Sequence, residues 1–248
     1  MTQIHFVGLV YEGIIMSITL VLMLQVIKIC LKNRNELNLL LLLLISNYFF
    51  AIFFSWLAKF LIIYSNIDYL SDVSIPDPLT PLSWILLRIT YFRISILLIT
   101  IATCGSYFLK EKVFEKQLKK TQSYLIITSG ILIGLYSLVA YEKGNLLLDV
   151  IATILLFLFM GVVYIPLMKK SIRSYKNSSI RNYKNAFLLL AITSLSFVLI
   201  FFCFLINHIY FILWGFEYTF FYYLGWIFVI VSVINTYLAL IKLKEKEN

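Results

Sequence analysis

The sequence predicts an all-α polytopic membrane protein, a bundle of seven transmembrane helices with the N-terminus outside and the C-terminus in the cytoplasm. Three observations carry that prediction. Of 248 residues, 62% are hydrophobic and 13% charged, with a mean hydropathy of +0.94, against about 25% charged in a soluble domain. Apolar runs of the roughly 20 residues needed to cross about 30 Å of hydrocarbon recur along the chain. Lysine and arginine collect in alternate connections between those runs, the asymmetry that sets orientation in a bilayer. No stretch is left for a soluble domain, so residues 1–248 are expected to form one transmembrane domain.

The first run, residues 6–31, follows MTQIHFVGLVYEG, a start without a positively charged region. It is longer than a signal-peptide core and is followed by Lys32 and Arg34, so it is expected to stay as a span. Further runs follow at residues 37–64, 84–109, 124–141, 146–168, 186–206 and 219–241. All are continuous and exceed the alternating segments of about ten residues that a barrel strand uses, so helices are expected.

Basic residues mark one side. Lys110, Lys112, Lys116, Lys119 and Lys120 follow the third run, Lys169, Lys170, Arg173, Lys176, Arg181 and Lys184 the fifth, and Lys242, Lys244 and Lys246 the seventh. The opposite connections carry Asp68, Asp72 and Asp77, then Glu142 with Lys143, then Glu217. The net charge of +9 is therefore assigned to cytoplasmic loops beside lipid, and nucleic acid is not expected as a partner. Trp84, Trp214, Tyr218 and Trp226 fall near outer boundaries, where amphipathic rings settle at headgroups.

One short repeat lies after the fifth run: SIRSYKN from Ser171 returns as SIRNYKN from Ser179. A cationic, tyrosine-bearing loop there suits anionic lipid headgroups or a cytoplasmic partner protein. KEKVFEKQLKK after the third run has the pattern of a short interfacial amphipathic helix.

Ionisable residues inside the runs are the candidates for function, because each costs on the order of 2.5 to 3.5 kcal/mol at a helix centre. Glu12, Lys59, Arg88, Arg93 and Asp149 all fall in the outer half. At about 1.5 Å per residue, Glu12 and Lys59 lie about 9 Å below their outer ends and Arg93 about 13 Å below Trp84. Tyr91, Tyr141, Asn207 and His208 reach the same layer. One reading is snorkelling and structural pairing. The other is a ligand-binding pocket of Glu12, Lys59, Arg88, Tyr91, Arg93, Asp149 and His208, whose three cations against two carboxylates favour an anionic or zwitterionic ligand. Polar residues deeper in, among them Asn47, Thr100, Thr103 and Ser194, are expected to bond across helices.

No enzyme is indicated, and no cofactor or metal is expected. With His5 and His208 the only histidines and Cys30, Cys104 and Cys203 scattered in apolar runs, haem and metal sites lack ligands. Nucleophile-elbow, zinc-protease, phosphate-loop and dinucleotide motifs are missing.

The third run with its flanks, LLRITYFRISILLITIATCGSYFLKEK, resembles the corresponding stretch of the seven-transmembrane sensor regions that precede the kinase core of many membrane histidine kinases. In those regions an Arg and a Tyr near the outer end precede an apolar run closed by an aromatic and basic residues; the matching positions here are Arg88, Tyr91, Tyr107 and Lys110. The resemblance extends to span number, topology and length. It implies a sensory, receptor-like protein in the cell membrane. Because Asn248 closes the sequence a few residues after the last run, the output is expected from a separate cytoplasmic signalling protein. Two rivals stay open: a small-solute transporter, for which broken helices rich in Gly or Pro are the usual mark, and an accessory subunit of a membrane complex.

Overall fold

A computed structural model describes residues 2–64, 81–114, 120–140, 146–215 and 218–244. Within them lie eight helices: α1 (Thr2–Lys32), α2 (Glu36–Tyr64), α3 (Pro81–Thr90), α4 (Arg93–Phe114), α5 (Lys120–Val139), α6 (Leu146–Asn177), α7 (Arg181–Trp214) and α8 (Phe220–Lys244). All but α3 are long and apolar enough to cross a membrane. The acidic-loop residues Asp68, Asp72, Asp77, Glu142 and Glu217 fall outside the described residues. So do Lys116, Lys119, Tyr141, Lys143 and Lys246.

Apolar side chains cover the outside as well as the inside. Val7, Val10, Ile14 and Val21 on α1 and Leu125, Leu132 and Leu135 on α5 are exposed. A helix apolar all round is stable only where its outer face meets lipid or more protein.

The helices close a ring in the order α1, α2, α4, α6, α7, α8, with α8 returning to α1. Helix α5 stands outside it, against α4 and α6. Its contact row is Ile126, Gly130, Gly134 and Ser137, a small-residue row of the kind that lets membrane helices approach closely. A Cβ on Gly130 would come within 2.6 Å of Cys104 Sγ, and one on Gly134 within 2.8 Å of Leu97. Helix α4 is the most enclosed of the spans. Midway down the ring, the Tyr48 hydroxyl lies 2.6 Å from that of Tyr164, which lies 2.8 Å from Ser106 Oγ. Phe197 stacks on both tyrosine rings.

Three expectations change. The third run is not one helix: α3 ends at Thr90 and α4 restarts at Arg93, with Phe92 between them at a φ of +61°. No glycine or proline marks the break, so the sequence hides it. The expected loop after the fifth run is mostly helix: the first repeat copy finishes α6, the second opens α7, and Lys184 of one stacks on Tyr175 of the other. Neither glycine nor proline falls there, and Arg, Lys and Asn extend α6 to Asn177 before the chain turns at residues 178–180. Of the expected interfacial helix, residues 110–114 simply continue α4. Lys110 and Glu111 are buried there as a 2.8 Å pair, and Lys112 pairs with Glu36 across to α2.

The small polar residues also behave differently. Asn47, Thr100, Thr103 and Ser194 each bond a carbonyl one turn back on their own helix, which satisfies a hydroxyl or amide without a neighbour, and Thr103 also reaches Tyr164 on α6 as expected. Other cross-helix bonds come from Ser55, Ser95, Ser106 and the tyrosines.

Candidate functional site

Two ion pairs tie the ring together at the end where α1 begins. The first joins α1 to α2. Lys59 Nζ lies 2.7 Å from Glu12 Oε1, and Glu12 is fully buried. Ser55 Oγ donates to Glu12 Oε2 at 3.0 Å, and the Tyr222 hydroxyl donates to Oε1 at 2.5 Å, bringing in α8. The carboxylate thus takes one charged and two hydroxyl donors from two other helices, which is what a buried charge requires to persist. The α1 backbone comes close because residue 8 is glycine: a Cβ there would meet the Tyr218 ring at 2.8 Å.

The second pair joins α4 to α6. Arg93, the first residue of α4 and fully buried, donates from Nε at 2.9 Å and Nη2 at 2.5 Å to the same oxygen, Oδ1 of Asp149. Its Nη1 has no hydrogen-bond partner among the described residues. Asp149 stands in the first turn of α6, where a negative charge also complements the helix dipole.

Between the two pairs lies a cavity of about 250 Å³. Every span except α5 contributes to its wall. Glu12, Lys59, Asp149 and His208 supply charge or titratable groups, and Tyr91, Phe92, Phe204, Tyr218, Tyr222 and Trp226 supply rings. His208 Nδ1 lies 3.0 Å from the Phe204 carbonyl. Since a carbonyl only accepts, Nδ1 carries a proton, and when the ring is neutral Nε2 is an acceptor. Below, a second and wholly apolar chamber of about 40 Å³ shares Phe92, Phe201, Phe204 and Trp226 with the first. It reaches down to Tyr48 and Phe197.

Of the seven residues proposed from sequence, Glu12, Lys59, Tyr91, Asp149 and His208 line this cavity. Arg93 stands behind Asp149 and does not reach the wall. Arg88 is elsewhere. Its Nε donates to the Leu138 carbonyl on α5 at 2.7 Å, Nη1 donates to the Trp84 carbonyl, and the guanidinium stacks 4.0 Å over the Trp84 ring. Carbonyl acceptors and a ring face are partners that a planar guanidinium takes readily.

Sequence reasoning missed Ser55, Phe92, Phe204, Tyr222 and Trp226. Trp226, expected at the headgroups, is 2% exposed and packs among Ile15, Ile52 and Tyr222. Three of these carried a readable pattern: Ser55 precedes Lys59 by one turn, and Tyr222 and Trp226 continue from Tyr218 at every fourth residue along one face. Nothing in the sequence marked Phe92. Among the described residues, no group of three or more His, Cys, Asp or Glu is placed to hold a metal ion. Comparison of the chain with protein-family models, with curated proteins and with solved structures returns no match.

Proposed function

We propose that this chain is a receptor-like sensory protein of the cell membrane that binds a small ligand in the cavity from outside and passes the change in helix packing to its cytoplasmic face. The observation that carries the reading is a cavity whose walls come from six of the seven spans, with an inter-helical ion pair on either side. A molecule seated there touches α1, α2 and α8 together with α4, α6 and α7. Ligand binding can bias a helix arrangement only through such differential contacts. Orientation rests on the positive-inside rule, which puts the acidic connections outside. On the other face Arg173, Lys176 and Arg181 are exposed at the α6–α7 turn, suited to anionic headgroups or to a separate cytoplasmic signalling protein.

The test is a fluorophore on Ser178→Cys in nanodiscs, titrated with a panel of small amines, carboxylates and amino acids. Wild type should respond saturably to at least one compound, and Glu12→Gln should weaken that response. If no compound shifts either the fluorescence or the melting of wild type, the charged layer is structural.

A second reading, a solute carrier, is favoured by one observation: the third span breaks at Phe92 between the two chambers. Discontinuous helices at a buried site are the usual architecture of carriers. Proteoliposomes separate the two, since ligand-dependent uptake replaces the sensor and binding without flux supports it.

A further inference from the structure

We infer that the ligand of this cavity carries an ammonium group, held by the carboxylate wall and the aromatic rings; the inference rests on the cavity being a ligand site. Counting cations along the sequence favours an anion, but folding sorts those cations away from the wall. Arg88 is occupied by two backbone carbonyls and the Trp84 ring. Arg93 is fully buried behind Asp149 and lines no part of the cavity. Among the described residues, the charged groups on the wall are then two carboxylates, Glu12 and Asp149, and one ammonium, Lys59. Both Arg93 bonds fall on Asp149 Oδ1, which leaves Oδ2 clear of Arg93 on a residue that lines the cavity. His208 adds an acceptor in its neutral form, because its proton is committed to Phe204. A carboxylate or phosphate entering beside Asp149 meets a carboxylate and lone pairs.

The other half of the argument is the aromatic wall. Tyr218 and Tyr222 stand edge to face, 4.8 Å between centroids, and Phe204 packs against Trp226 and Tyr222. Ring faces beside carboxylates are the chemistry that holds alkylammonium groups. Lys59 already demonstrates it: its ammonium sits 2.7 Å from Glu12 and 5.5 Å from the Tyr222 ring centre. It is a tethered amine on a flexible stem, filling one half of the wall as a free amine would fill the Asp149 half. The volume and largely apolar lining suit a compact amine with an aliphatic or aromatic body; a zwitterion is admitted only through its ammonium end.

The experiment places a cysteine on the wall. Thr153→Cys lies one turn below Asp149 and lines the cavity, in a background with Cys30, Cys104 and Cys203 replaced by alanine. It is treated with methanethiosulfonates bearing a trimethylammonium or a sulfonate, each rate normalised to reaction with free thiol. The cationic reagent should react about tenfold or more faster, as local steering by the neighbouring carboxylate and ring faces produces, and Asp149→Asn should erase that preference. Equal rates, or a faster sulfonate, overturn the ammonium assignment while leaving an accessible cavity. No reaction with either reagent removes the cavity as a ligand site altogether. Because the multiple variant can fail to fold, wild type in nanodiscs is also melted with phenethylammonium, 2-phenylethanol and phenylacetate. Stabilisation by the ammonium alone supports the assignment; stabilisation by phenylacetate, or equally by the alcohol, overturns it.

Discussion

Phe92 holds a φ of +61° in a region where the Cβ of an L-residue crowds its own carbonyl, at a cost of roughly 1–2 kcal/mol. Its ring packs against the main core and against Phe204, which offsets that strain. Replacing it tests both terms. Phe92→Leu and Phe92→Val both lose the ring, but the β-branched side chain fits the left-handed conformation worse. Phe92→Val is therefore expected to be the less stable by about 1 kcal/mol in detergent denaturation. The ion pairs behave differently. Arg93→Leu or Asp149→Leu alone leaves a buried charge unmatched, on the order of 3–5 kcal/mol. The double variant should be more stable than the sum of the two, a coupling that a double-mutant cycle measures directly. Arg88 and Arg93 look alike in the sequence, five residues apart at the head of one apolar run. Burial and partner choice separate them, and those depend on where α5 and α6 arrive.

Among the elements, the small-residue face of α5 sets how closely it can approach α4. Gly130→Val must push the helices apart, since even a Cβ would meet Cys104 Sγ at 2.6 Å. Because α5 lies outside the ring, the expected outcome is faster proteolysis around α5 with labelling of Thr153→Cys unchanged. The α2–α4–α6 contact is a polar clasp instead. Tyr164→Phe leaves the Tyr48 and Ser106 hydroxyls without the partner they share, a loss of about 1–3 kcal/mol read from the melting temperature. The apolar runs announced seven of these helices. The break in the third and the helical continuation past residue 168 were not legible. A propensity pattern registers Gly and Pro but not a phenylalanine held in a rare conformation by its neighbours.

For the whole molecule, the charge asymmetry of the connections makes a topological prediction. In right-side-out membranes, Ser178→Cys should resist an impermeant thiol reagent until the bilayer is opened, while Trp214→Cys at the far end of α7 should react at once. The opposite pattern would invert the bundle and put the cavity mouth in the cytoplasm. The sequence by itself determined the solvent, the seven crossings and a charged layer at one depth. These follow from hydropathy and helical rise, which are properties of a segment and need no knowledge of its neighbours. Tertiary structure alone decided that α5 stands outside the ring, that Arg88 and Arg93 leave the wall, and that Tyr222 and Trp226 complete it. Apolar faces pack against lipid and against each other with nearly equal ease. Hydropathy therefore carries no record of which helix meets which, and which charged groups face the cavity was fixed only when the helices met.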